Sequence, residues 1–562
     1  MKMRSILVVA LAAAAGAARA REPAMRWFAD RPVAWSEHDQ ENVPARPEPN
    51  HLQDEPLTLT IRDSAANEAD RLLSAEGARP AADVNAMDEV PCSTWFCARN
   101  HRRPLPVDEI ARGPGRPAVL PLTVTKGKDE GAATGFVVVD AAKNKFMLKL
   151  DPPGHLGLVT AAETVGYRLF HAAGYNVPGA HLVDFRRDQL RVSPKATFEL
   201  FKVQKRPLTE AQVTAKLQGV PHLADGRVRG VAIPWIQGDV LGSFDFIGRR
   251  ASDPNDRIPH EDRRSLRASW VLFAWLSVLD AGPINTIDAY VEQSGRHFVR
   301  HYLFDFSCSF GSATDYAQGP QHDGEYLVEV GRTLGSLLSL GFYQRPFQAE
   351  SSRAEWVRLN GTYPSIGYYP AESFDPDTYR GNRRVPAHMR MTARDAYWGA
   401  KIVTSFTDEQ LHAVVAAAGL PDRDAAYLEH ALEVRRDIIG RRYLRAIAAV
   451  ENPALSPDGG LLCFDDLAVG RGYAGRDEPT YLVDRLDGDG RVVASFEQRA
   501  TGPRACVGTG GPDPGMPYQV IRMRERLRGP RGEAIVGKAS RVHLRWRAAE
   551  RKFVVVGLER DE

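Results

Sequence analysis

The chain has 562 residues, 43% of them hydrophobic and 26% charged, with a formal net charge of +2. That length is too great for one compact core and predicts two to four domains, in the composition of an ordinary globular protein. Without the first 20 residues, which carry Lys2, Arg4 and Arg19, 70 basic residues face 71 acidic ones. This balance gives no electrostatic case for nucleic acid or an anionic membrane as partner.

Residues 1–20 read as a secretory signal. Lys2 and Arg4 precede an apolar stretch over 6–15, and Ala18-Arg19-Ala20 offers a cleavage site before Arg21. The competing reading is a buried N-terminal helix. No Cys follows the apolar run, and no later segment approaches the ~20 apolar residues of a membrane span. The expectation is an exported protein without a membrane span, periplasmic or extracellular. Cys92 with Cys97, and Cys463 with Cys506, form either two disulfides or free thiols. Cys308 is left over, and no spacing suggests zinc.

Residues 21–115 are rich in Pro, Arg and Asp and read as an extended arm or linker, which becomes ordered around Trp95. ARGPGRP marks a boundary near 116. Strands are predicted over 120–126 and 135–140, around a glycine-containing turn, and again over 145–150. A helix over 159–173 carries two apolar stripes, with Glu163 inside one and Thr164, Tyr167 and Arg168 on the remaining face. Gly174 ends it. Strands follow over 181–185 and 231–236, with an insertion and one amphipathic helix between them over 196–228. A strongly apolar helix over 261–280 is stopped by Gly282 and Pro283 immediately after Asp280. Two strands, 289–292 and 297–304, surround the hairpin signal QSGR. Helical patterns return over 325–341, 393–417 and 423–450. From 456 the pattern is all strands and turns. The predicted α+β organisation is therefore arm, 21–115; mixed lobe, 116–240; helical lobe, 241–452; and β-rich domain, 456–562.

The chemistry concentrates between Asp280 and Gly311. Asp280 stands five residues before Asn285, and Asp305 follows the hairpin. The Asp can take or orient the proton of an attacking hydroxyl, and the Asn can hold a metal ion. The alternative is a loop-capping Asp and a turn Asn. Asp377 and Asn382 repeat the spacing in a Pro/Gly-rich loop and read as a decoy. Asp305 lies in an apolar strand, where a carboxylate is costly unless paired or metal-bound, so it is the leading ligand for Mg²⁺ or Mn²⁺; the alternative points it at solvent. Lys149, in a short apolar strand, and Glu163 form a candidate buried pair that aims an ammonium at nucleotide phosphates. The alternative is two surface charges, and Lys126, Lys128, Lys145 and Lys202 are rivals. The turn with Gly127, Gly131 and Gly135 can lie over phosphates with its N–H groups inward, or be a plain β-turn. Neither HExxH nor G-x-S-x-G is present.

This order of parts resembles the protein-kinase-like superfamily. The likeness is to its atypical branches: HipA-type and CotH-type kinases, phosphoinositide-kinase relatives and the Golgi secretory kinases. FDFSCSFG is similar to the D-F-G-x-x-F-G segment of lipid kinases. The resemblance covers about residues 118–345. It implies a two-lobed kinase-like core, ATP or another nucleotide with Mg²⁺ or Mn²⁺, and phosphoryl transfer to a protein or small-molecule substrate. Gly131 and Gly135 would then cover the nucleotide, Lys149 would hold phosphates and pair with Glu163, Asp280 would be catalytic, and Asn285 and Asp305 would bind metal. The departures are the missing His-Arg before Asp280, Ala281 and Gly282 where many kinases have a Lys, and Ser307 after Asp-Phe. The other readings are a catalytically inactive kinase-fold binding protein of the cell envelope and an unrelated hydrolase with Asp280 and Asp305 as paired carboxylates.

Overall fold

The computed structural model describes residues 26–562, apart from 53–61, 63–78, 128–133, 201–203, 322, 328–329, 341, 476–478, 501, 512 and 529–532. The leader and Gly131 lie outside the described residues. Among those described, no helix is long and apolar enough to cross a membrane.

The chain is a mixed α/β protein with two large sheets. The first has seven strands: β1 (Leu122–Gly127), β2 (Gly135–Val139), β3 (Lys145–Leu150), β4 (His181–Phe185), β5 (Leu190–Leu200), β6 (Gln204–Pro207) and β7 (Val228–Pro234). Their order is β4-β7-β3-β2-β1-β5-β6. Only β1 and β5 pair in parallel. The long strand β5 and its hairpin with β6 occupy the start of the predicted insertion; a mixed run, LRVSPKATFEL, hid them from an alternation test. Phe146, Leu148 and Leu150 of β3 enter the core on one face of this sheet. Strand alternation then puts Met147 and Lys149 on the other face.

That other face receives α1 (Leu158–Ala173), which packs on β3, β4 and β7. The predicted polar face of α1 is not solvated. Thr164, Tyr167 and Arg168 are buried with the apolar stripes. Arg168 is satisfied by the carbonyls of Ala111, at 2.7 Å, and Ala180, at 2.9 Å. The turn from β3 into α1 is locked by Asp151. Its carboxylate accepts from the N–H groups of Gly157, Val159 and Thr160 at 2.8, 2.9 and 2.8 Å. These are orphan donors of the first helical turn, and a carboxylate there also favours the helix dipole.

The predicted apolar helix over 261–280 ends early. Its main piece, α2 (Ser269–Leu276), stops at Ser277, which has φ +48°. Arg435 donates to the Ser277 hydroxyl at 2.8 Å and to Ala274 O at 2.7 Å, so the left-handed turn is held from outside. Asp280 thus sits on a tight loop beyond the helix. That loop leads into a three-stranded sheet in the order β10-β9-β8, made of β8 (Asp239–Val240), β9 (Thr286–Gln293) and β10 (Arg296–Leu303). Helices α3 (Ala393–Val403), α4 (Asp408–Ala416) and α5 (Asp422–Ile439) complete the central core around α1 and α2. The predicted helix over 393–417 is two helices. Thr404 ends α3, and a Thr407 capping box starts α4.

Strands from Val450 to Arg560 build a three-stranded and a six-stranded sheet with their own core. The arm ties the parts together. Trp95 stacks on His301 of β10, ring centroids 3.5 Å apart. Phe28 N donates to Tyr518 Oη at 2.9 Å in the last sheet. Two disulfides are formed, Cys92–Cys97 and Cys463–Cys506, and Cys308 is free.

Candidate active site

β3 and α1 present Lys149 and Glu163 to each other. Lys149 Nζ is 2.5 Å from Glu163 Oε1. It also reaches Asp305 Oδ1 at 2.7 Å. Lys149 and Glu163 are almost sealed from solvent, whereas the Asp305 side chain is 22% exposed. Burial works against the Lys149 ammonium, but the charges of Asp305 and Glu163 outweigh it and raise its pKa. Burial raises the Glu163 carboxyl, against the pull of Lys149, to about 7. The second oxygen of Glu163 accepts from Phe306 N at 3.0 Å.

Asp305 lies two residues past the end of β10 with φ +62°, not within an extended strand. Left-handed backbone is costly for a side-chain-bearing residue unless its surroundings hold it. Tyr167 Oη accepts from Asp305 N at 3.0 Å, and Ser307 Oγ donates to Asp305 Oδ1. Phe306 then turns inward onto Phe170, centroids 4.5 Å apart. Gly166 makes room for it, because a Cβ there would stand 2.6 Å from Phe306 Cβ. One helix turn of α1 therefore supplies Glu163, Gly166 and Tyr167, all holding the segment around Asp305. Sequence reading missed the last two. The i, i+3, i+4 spacing from Glu163 is the signal that could have found them.

Asp280, Asn285 and Asp305 line one narrow recess, floored by Phe273, Leu303 and Phe306. Asn285 Nδ2 donates to Asp280 O at 2.7 Å. Burial raises the Asp280 carboxyl above the usual range and the charge of Asp305 adds to this; Arg383 and the side chains of Asn382 and Asn285 oppose it. Asn382 was the amide of the sequence decoy. Its backbone N donates to Leu279 O at 2.7 Å, and its side chain hydrogen-bonds Asp280. Long-range folding brought it there, and no local pattern records that. Gly135 belongs to a strand, not to the turn before it. It pairs opposite Lys149, and an added Cβ would lie 2.5 Å from Leu148 O. Close backbone approach favours glycine at this position.

No protein-family model matches the chain. No curated protein matches it. Among solved structures, the crystal structure of the Golgi casein kinase is similar at a TM-score of 0.27 and 9% identity, over 70% of this chain and 91% of that one. The crystal structure of the Golgi casein kinase with Mn/ADP bound gives a TM-score of 0.27 and 8% identity over the same shares. Likeness at that level carries no argument about fold or chemistry, which rest on the geometry of this chain.

Proposed function

We propose that this chain is an exported kinase-like phosphotransferase. It would move a phosphoryl group from ATP or another nucleotide to a hydroxyl of a protein or small-molecule substrate. One observation carries the reading: Lys149, Glu163 and Asp305 form a single ion-paired cluster beside a recess that also holds Asp280 and Asn285. An ammonium, three carboxylates and an amide at and beside one recess are the parts that phosphoryl transfer uses for positioning and charge stabilisation.

In this reading Glu163 holds Lys149 for nucleotide phosphates. Asp280 takes the proton of the attacking hydroxyl, for which burial and a raised pKa suit it. Asp305 and Asn285 offer a carboxylate and an amide oxygen, a donor set that fits Mg²⁺ or Mn²⁺ completed by phosphate oxygens and water. That ion would neutralise charge on the phosphates. The leader pattern and the two disulfides support export. An exported kinase draws on nucleotide outside its own cytoplasm, as a secreted effector does inside another cell. The test is a melting curve with ATP and Mn²⁺ or Mg²⁺, together with phosphate transfer to a mixed acceptor pool. A wild-type protein that neither stabilises nor transfers overturns the reading.

One observation favours a second reading, a catalytically silent kinase-like binding protein of the cell envelope. Lys149 already pairs with both acids, and Phe306 N and Ser307 Oγ bond to them as well, so the cluster holds together without a ligand. Melting that ignores nucleotide, with capture of an envelope partner by the arm or the β-rich region, is its signature.

A further inference from the structure

Arg383 is a buried cation with two nitrogens whose N–H donors are unmet. It is 7% exposed, and neither Nε nor Nη1 has a hydrogen-bond partner among the described residues. Its place is fixed by its neighbours. Asn382, one residue before it, is bonded through its backbone to Leu279, and Leu327 N donates to Asn382 O at 3.0 Å. The Arg383 side chain stands over Gly282, two residues beyond Asp280. A Cβ built on Gly282 would meet Arg383 Cδ at 3.7 Å and Nη1 at 3.9 Å. Glycine at 282 leaves that approach without a side chain. The guanidinium is also the opposing charge acting on Asp280.

A buried guanidinium with unmet N–H groups is expensive unless something else satisfies it. Its planar fork matches the oxygens of a phosphate. Building on the phosphotransferase reading, we propose that Arg383 binds the oxygens of the transferred phosphoryl group of a nucleoside triphosphate. In the step it serves, a bond forms between the acceptor oxygen and the terminal phosphorus. The bond from that phosphorus to the leaving diphosphate breaks, and the hydroxyl proton passes to Asp280. Arg383 neutralises charge on the phosphoryl oxygens as they cross the recess, next to the residue that receives the proton. Asp280 alone does not account for the guanidinium, because Nε and Nη1 remain unmet beside it.

The experiment compares wild type, R383K and R383M by thermal melts and calorimetric titration in the presence of Mn²⁺, with ATP, ADP and inorganic tripolyphosphate as probes. Wild type should bind ATP and tripolyphosphate more tightly than ADP. R383M should lose that preference, with at least a tenfold drop in ATP affinity and an unchanged ADP affinity. R383K, which keeps the charge but not the fork, should retain part of it. If R383M and R383K both bind ATP as wild type does, the role of Arg383 falls and the phosphotransferase reading stands. If wild type binds tripolyphosphate through Arg383 but ignores ATP, the phosphate site stands and the phosphotransferase reading falls. Binding of neither probe by wild type overturns both. R383K also guards against misfolding of R383M, since it preserves the buried charge.

Discussion

The ammonium of Lys149 lies 2.7 Å from Asp305 Oδ1 while it also pairs with Glu163. A metal ion and a nucleotide would compete for that bond from its two ends. The ion would draw Asp305 away, and phosphate oxygens would replace it at Lys149. Each ligand alone must break the pair with nothing to take up the abandoned partner, whereas both together re-satisfy it. The melting temperature should therefore rise more with Mn²⁺ and ATP together than the two separate shifts add up to. D305N should abolish this synergy and lower transfer by about 100-fold or more. Additive shifts in wild type would refute the exchange.

Asp151 positions Lys149 and Glu163 without touching either. It directly follows β3 and ties up the first N–H groups of α1, so strand and helix are fixed at their junction. D151A would leave buried donors unmet and cost about 1–3 kcal/mol. It should weaken nucleotide binding as well, because Glu163 lies in the second turn of the same helix. Denaturant unfolding and an ATP titration check the two effects. Lost stability with unchanged binding would show that the junction serves only the fold.

Much of this organisation was legible in the residues, and the failures have physical causes. Strand β3 declared itself through KFMLKL, and its bounds agree with the pattern over 145–150. The hairpin at QSGR likewise sits between β9 and β10. The helix leading to Asp280 was read too long because apolar content does not reveal a left-handed serine held by a distant arginine. Asp305 read as a strand residue because YLFDF continues the apolar run, and its positive φ is imposed by Tyr167 and Ser307. Asn382 was set aside as part of a decoy and Arg383 went unread, since their relation to Asp280 exists only after the chain closes on itself.

The parts of the chain are joined by one buried acid. Asp88, in the arm, accepts from Arg264 Nη1 and Arg394 Nε, each at 2.7 Å, and from Arg560 Nη1 at 2.5 Å. Arg560 also donates to Glu451 Oε1 at 2.7 Å. The cluster therefore joins the arm, the helical core and the β-rich region in a space closed to water. D88N keeps the shape and removes the charge, leaving three guanidinium groups undercompensated. The expected loss is about 3–5 kcal/mol, read by urea unfolding. A change below about 1 kcal/mol would mean that packing alone joins these regions.

His388 sets an acid limit on stability. Its Nε2 lies 2.8 Å from Ser269 Oγ, and that hydroxyl donates to Leu266 O, so Nε2 carries the hydrogen in a neutral ring. Trp270, Phe273 and Phe246 surround the imidazole, with centroids 5.8, 5.3 and 5.8 Å away. Burial lowers its pKa from 6.5 to about 3. The unfolded chain therefore takes up the proton first as pH falls. Above about pH 6.5 the group has no effect on stability; between there and about pH 3 it removes up to about 1.4 kcal/mol per pH unit. Asp88 acts in the same direction, because burial opposes its charge but the three arginines outweigh it and depress its carboxyl. Urea unfolding at intervals from pH 7.5 to 4 should show stability falling on the acid side. H388Q, which keeps a donor toward Ser269 but does not titrate, should flatten the slope by nearly one proton. An unchanged slope in H388Q would assign the acid sensitivity to other groups.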